Sequence, residues 1–160
     1  MKELIFVRHA KSDWDNPGLK DIERPLGERG IKDAPIMAGK LKSLVKSVDH
    51  IVSSPAVRAL ETAKYFANAF GIEFQKIDIR SDLYEAYFDD ILKEVHDLEN
   101  DYDTVLFFGH NPGYTYLANH FSTDFIENVP TCGIFRIQSS ISKWKDFDSS
   151  NSKLNLFLKP

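Results

Sequence analysis

The stretch Leu4-Ile5-Phe6-Val7-Arg8-His9-Ala10 decides how this chain folds. Four apolar residues in succession read as a strand buried on both faces, the pattern of a parallel sheet covered by helices. An arginine and a histidine stand where the apolar run stops, so the strand delivers both to its C-terminal end. That is the edge at which open α/β sheets bind ligands. Two later segments repeat the arrangement, Ser53-Ser54-Pro55-Ala56-Val57-Arg58 and Phe108-Gly109-His110-Asn111-Pro112-Gly113. Three strand ends then bring Arg8, His9, Arg58 and His110 to one edge.

Working outward, apolar, β-branched or aromatic runs predict strands over 3–8, 49–53, 74–79, 103–109, 132–138 and 153–158. Helical spacing fills the gaps: Ala34, Met37, Leu41, Leu44 and Val45; then Leu60, Ala63, Ala67 and Phe70 before Gly71; then Ile91, Leu92, Val95 and Leu98. Pro35 should either kink the first helix or mark a later start. Strands alternating with helices predict a single-domain, three-layer α/β/α sandwich over residues 1–160 with a mostly parallel, mixed sheet. The last two strands lie close in sequence and read as a hairpin-like edge extension. The serine-, aspartate- and lysine-rich connection between them, 139–152, has no chemistry assigned to it.

With 160 residues, 42% of them hydrophobic, the chain can bury a sizeable core. A formal net charge of −4 argues against a general nucleic-acid binder or an anionic-membrane binder, so any attraction for phosphate must be local. The lone Cys132 cannot close an internal disulfide, and Met1 to Val7 runs straight into the charged motif, which together predict a cytoplasmic protein without a signal peptide. No apolar run approaches the ~20 residues that a membrane span requires.

Ser54-Pro55 and Asn111-Pro112 each place a capping side chain and then a proline directly after a strand, the signature of a helix start. Helix N-termini attract anions, and Arg58 adds a formal charge in the first turn. The inferred ligand is a phosphoryl group. Its transfer needs fixed donors around the equatorial oxygens and an in-line nucleophile. Arg8, Arg58 and His110 suit the first task, and His9 suits the second because a neutral imidazole nitrogen is available near pH 7. The other ring nitrogen of His9 should donate to a backbone carbonyl, and Gly30 should let a loop approach closely.

Any one of these residues alone would read as structural; together they do not. No His-x-x-x-His or close carboxylate–histidine spacing suggests a metal site, and no Gly-x-x-x-x-Gly-Lys-Ser/Thr loop suggests a nucleotide. Cys132 should pack in the core. His50, His96 and His120 read as surface or boundary residues.

The landmarks Arg8-His9-Ala10, Arg24-Pro25-Leu26 with Gly30, Ser53-Ser54-Pro55 with Arg58, Leu83-Tyr84-Glu85-Ala86 and Gly109-His110-Asn111-Pro112 follow one another in the order of a known family. In them the chain resembles the histidine phosphatase superfamily, the phosphoglycerate mutase-like proteins, and within it the short SixA-type phosphohistidine phosphatases. The resemblance implies the phosphoglycerate mutase-like fold, His9 as the nucleophile, and Glu85 as the general acid in a partly desolvated position. Asp82, Asp89 and Asp90 are rivals for the acid. Ser12, Arg24 and Asn111 are then expected to contact substrate, with no metal and no cofactor. The implied substrate is a phosphohistidine on a partner protein, with inorganic phosphate as product. A small phosphoester metabolite is the alternative substrate, mutase activity comes third, and a non-catalytic phosphate-binding module is the reading from another class.

Overall fold

In a computed structural model describing residues 1–160, the opening stretch forms β1 (Lys2–Arg8), with Leu4 to Val7 wholly buried. The remaining elements are α1 (Glu28–Leu44), β2 (His50–Ser53), α2 (Val57–Ala69), β3 (Asp78–Ile79), α3 (Phe88–His96), β4 (Thr104–Gly109), α4 (Gly113–Phe121), β5 (Ile134–Ser139) and β6 (Ser152–Leu158). They make one six-stranded sheet in the order β3-β2-β4-β1-β5-β6. β1, β2, β3 and β4 run parallel, while β5 lies antiparallel to both β1 and β6. The expected hairpin-like extension is therefore the β5–β6 edge.

Side chains alternate across a strand, so β1 feeds two cores. Leu4 and Phe6 join one with residues of α3 and α4. Ile5 and Val7 join the other with residues of α1 and α2. Two helical layers therefore enclose the sheet, and each fully buried large apolar side chain contributes about 1.5–3 kcal/mol. Phe6 stacks on Phe135 at 5.1 Å between ring centroids and meets Tyr114 edge-on at 5.4 Å, tying β1 to β5 and α4. No helix is long and apolar enough to cross a membrane.

Four expectations need correcting. The predicted 74–79 strand is a 3₁₀ turn at Phe74–Lys76 followed by a two-residue strand, because the edge partner β2 is itself short and offers few ladder positions. The strand expected from Cys132 starts at Ile134, since Cys132 takes a positive φ of 59°. Of the two outcomes expected at Pro35, the later start is the one overturned, since α1 starts well before Pro35 and runs through it. Pro35 lies on the exposed side of the helix, so the carbonyl it leaves unpaired in the preceding turn can bond to water. The 139–152 connection is more than a polar link. Trp144 and Phe147 are buried against the α3–α4 side of the sheet, and the Trp144 indole N–H donates to the Tyr102 carbonyl at 2.9 Å.

Gly30 bears out the expected close approach. A Cβ there would stand 2.3 Å from the Lys11 carbonyl oxygen, so α1 can seat against the segment that leaves β1 only with glycine at this point. Gly39 on the same helix has nothing within 4 Å of its would-be Cβ. Gly30→Ala is expected to cost about 1–3 kcal/mol in denaturant unfolding, whereas Gly39→Ala should gain about 0.4–1 kcal/mol. Equal effects at the two positions would refute the packing argument.

Candidate active site

Parallel pairing of β1 with β4 sets Arg8 against Gly109. The next residues, His9 and His110, therefore leave the sheet together, and the His9 backbone N–H donates to the Gly109 carbonyl at 3.0 Å. Their ring centroids are 5.2 Å apart. Beside them β2 ends in Ser53, and Ser54 bonds through its backbone N–H to the Phe108 carbonyl at 2.9 Å. On the other flank, the Cys132 N–H reaches the carbonyls of both Arg8 and His9 at 3.1 Å, holding the end of β1 from below. Cys132 itself is buried as expected, and burial pushes its thiol up to about 12.

A cavity of about 330 Å³ opens over these strand ends, lined by Arg8, His9, Ser12, Arg24, Arg58, Glu85, His110 and Asn111 among others. All eight sequence-predicted site residues thus share one wall. Four cationic side chains in it, Arg8, Lys11, Arg24 and Arg58, face two carboxylates, Asp21 and Glu85. The Nε atoms of Arg8 and Arg58 are buried and have no acceptor within the protein. Buried donors are normally paired, so both point to an anion as their partner.

The His9 Nδ1–H donates to the Ala10 carbonyl at 2.8 Å, as expected, which leaves Nε2 as the nitrogen with the free electron pair. Burial first, then Arg58, Arg8 and Arg24, lower the pKa of His9 to about 4. Burial, then His9 and Arg58, lower that of His110 to about 3. Both rings are neutral at pH 7. His110 Nε2 lies 2.8 Å from Ser54 Oγ, which already accepts from the Ala56 N–H at 3.2 Å. The serine proton is thus available to Nε2, and the neutral ring can carry its own hydrogen on Nδ1.

Asp21 is the residue that sequence reasoning missed. Its Oδ1 accepts from Arg24 Nε and Nη2 at 3.2 and 3.0 Å, and its Oδ2 accepts from Arg58 Nη2 at 3.0 Å and the Tyr84 hydroxyl at 2.6 Å. Its carbonyl accepts from Arg58 Nη1 at 2.7 Å. Hydrogen bonds from Tyr84, then from Arg24 and Arg58, hold this carboxyl far below the usual carboxylate range. A single anion therefore fixes two arginines and the tyrosine next to Glu85. Only its spacing from Arg24 could have hinted at this, because Arg58 and Tyr84 are remote in sequence.

The structure also corrects the expected sources of anion binding. α2 and α4 begin at Val57 and Gly113, later than Ser54-Pro55 and Asn111-Pro112 imply, and neither helix start lines the cavity apart from Arg58. The prolines occupy the positions before the helix, which sets both N-termini back from the strand ends. Guanidinium groups supply the positive charge instead. Asn111 lines the cavity, but its amide is committed to the protein: Nδ2 donates to Asn128 Oδ1 at 2.9 Å and the Val129 carbonyl at 3.0 Å, and Oδ1 accepts from Thr115 N–H at 3.2 Å. It braces the rim instead of presenting donors. Ser12 and Arg24 are likewise bonded to each other, Nη1 to Oγ at 2.6 Å.

Glu85 is exposed, not partly desolvated as expected, because it sits on the open lip of the cavity. Its φ of 56° lies in the left-handed region that non-glycine residues rarely enter. The lip is held on both sides, by the Tyr84–Asp21 bond and by Ala86, whose carbonyl would be 2.6 Å from a Cβ at Gly113. Asp82, Asp89 and Asp90 do not line the cavity, and Asp90 is used to accept from the Tyr87 N–H at 2.8 Å. No three His, Cys, Asp or Glu side chains converge where a metal ion could be held.

Residues 4–131 match the model of the histidine phosphatase superfamily (branch 1). An uncharacterized chloroplastic protein of Arabidopsis thaliana is 31% identical over 154 residues, covering 91% of this chain and 70% of its own. A structure from Agrobacterium tumefaciens, provisionally named phosphohistidine phosphatase SixA, superposes with a TM-score of 0.81 at 27% identity, over 99% of this chain and 98% of that one. The protein histidine phosphatase SixA solved with tungstate shares the fold, with a TM-score of 0.80 at 20% identity over 98% of this chain and 96% of that one.

The two imidazoles should titrate by NMR near the values above, about 4 for His9 and about 3 for His110, in place of the ordinary 6.5. The unfolded chain then binds more protons than the folded one as pH falls from 6.5, so stability should be full above that pH and decline toward about 3, the lower of the two folded values. An imidazole from either residue titrating near 6.5 in the folded protein would mean a solvated site.

Proposed function

Since the chain belongs to the histidine phosphatase superfamily and is a phosphatase, we propose that it removes the phosphoryl group from phosphohistidine on proteins, through a covalent phosphohistidine at His9. The observation that carries this reading is the fixed tautomer of His9, with Nδ1–H bound to the Ala10 carbonyl and Nε2 free in a cavity walled by arginines. A neutral, oriented nucleophile beside fixed cations is what phosphoryl transfer asks of a protein.

In the first step His9 Nε2 attacks phosphorus, a new P–N bond forms, and the bond from phosphorus to the substrate nitrogen breaks. The substrate imidazole takes that electron pair. Its other nitrogen already carries a proton, so it departs neutral. Arg8 and Arg58 meet the equatorial oxygens, and His110, which lines the same cavity, adds a donor. In the second step water attacks phosphorus, the bond to His9 breaks, and inorganic phosphate leaves. Neither step calls for a metal or a cofactor. Glu85 on the lip is the acid that would protonate an alkoxide leaving group, which cannot depart unaided.

A protein substrate fits the mouth of the cavity, where Lys11, Trp14 and Glu85 are all exposed and a side chain carried on another protein can enter. The likeness to the Agrobacterium protein supports the same substrate. Assays against a phosphohistidine protein and a panel of small phosphoesters test the reading: faster turnover of the phosphoesters would replace it with a metabolite phosphatase, and binding without turnover would replace it with a phosphate-binding module.

His9→Ala should abolish turnover while vanadate still binds, and rapid quenching of the wild type should trap acid-labile, base-stable phosphate on His9. Near-wild-type turnover in this variant would remove His9 as nucleophile. Glu85→Gln should slow phosphoester hydrolysis by about 10²–10⁴-fold, the usual worth of a general acid, and phosphohistidine hydrolysis far less. Equal losses on both substrates would count against this division of labour.

A further inference from the structure

Apart from the two histidines, the only rings in the cavity wall belong to Trp14 and Tyr84. Tyr84 is committed, with its hydroxyl on Asp21 and its ring edge-on to His110 at 5.6 Å. Trp14 is different. One face of its indole lies over the Arg24 guanidinium, 3.5 Å from Cζ to the ring centroid, yet the residue is 67% exposed. The opposite face is therefore open, and a large apolar ring left in water at the mouth of a charged cavity forgoes the burial that usually places tryptophan.

The mount beneath it is rigid. Arg24 is held by Asp21 and by Ser12, and the segment carrying Trp14 is pinned where the Asp13 N–H meets the Pro25 carbonyl at 2.8 Å and the Asp15 N–H meets Asp13 Oδ1 at 2.7 Å. An exposed indole on such a mount is a fixed platform.

We propose that Trp14 contacts the substrate, its open face receiving the flat ring of the leaving group, which on the reading above is the imidazole of phosphohistidine. The chemistry matches at each point. The phosphoryl group occupies the arginine-lined floor, so the leaving group must project toward the rim, where Trp14 and Glu85 stand. An imidazole protonated for departure is a flat cation, attracted by the negative π face of an indole. An alkyl leaving group gains no such contact. Trp14 thus selects for ring-bearing phosphoryl donors while the floor treats all phosphoryl groups alike.

Trp14→Ala, Trp14→Phe and the wild type are compared on free phosphohistidine, p-nitrophenyl phosphate and glycerol phosphate, with vanadate inhibition as the measure of the floor. Trp14→Ala should raise KM about 3- to 10-fold for the two ring substrates, the worth of one aromatic stack, with kcat little changed. KM for glycerol phosphate and the vanadate inhibition constant should stay as in the wild type, and Trp14→Phe should restore most of the loss. A vanadate constant that rises in step would overturn the proposal, showing that Trp14 merely props Arg24. Unchanged KM on the ring substrates would overturn it as well. A wild type inactive on phosphohistidine, whose Trp14→Ala variant still loses affinity for p-nitrophenyl phosphate, would remove the substrate assigned above and keep the platform.

Fluorescence gives a second readout, since Trp144, the other tryptophan, is fully buried and acrylamide reaches Trp14 alone. In the His9→Ala chain, phosphohistidine should protect Trp14 from quenching and inorganic phosphate should not. Equal protection by both would speak against ring contact.

Discussion

Parallel pairing of β1 with β4 puts Arg8 level with Gly109, so two histidines that lie far apart in the chain leave the sheet side by side. Everything else at the site is arranged around that pair. β2 brings Ser54 under His110, α2 swings Arg58 over the edge, and the segment after β1 wraps back to add Ser12, Trp14, Asp21 and Arg24. The antiparallel β5 closes the other flank, where the Cys132 N–H ties off the end of β1. Such a ladder allows little slippage, because a shift by one residue would turn Leu4 and Phe6 out of one core and into the other.

The electrostatics follow from crowding. Burial keeps both imidazoles neutral, and the neighbouring arginines reinforce it, so His9 Nε2 keeps its electron pair at neutral pH. The same arginines would repel one another were it not for Asp21, which binds two of them and accepts from Tyr84 as well. This carboxylate fixes the Arg24 and Arg58 guanidinium groups in place within the protein itself. It also connects the cationic floor to the lip that carries Glu85.

The three strand-end motifs, the layered fold and the tautomer expected of His9 were all legible from residue type and order. Apolar runs and helical periodicity are local, and they report faithfully on strands whose both faces are buried. Motifs failed where a neighbour overrode local preference: Phe74 to Ile79 had no long strand to pair with, Pro35 could remain inside a helix because its side of that helix meets water, and the prolines after Ser54 and Asn111 precede their helices instead of opening them. Trp144 and Phe147 hid in a segment whose polar composition outweighed two buried rings.

By itself the sequence determined which residues end the buried strands, and hence that Arg8, His9, Arg58 and His110 meet at one edge of a parallel sheet. It could not decide what the side chains do once there. The engagement of Asp21 with Arg58 and Tyr84, the commitment of Asn111 to the 128–129 segment, the exposure of Glu85 and the stacking of Trp14 on Arg24 were settled only by the tertiary structure. The reason is physical. Strand ends follow from short-range patterns of burial, whereas the partner of a guanidinium or an amide is set by which loops the packed sheet and helices bring within about 3 Å.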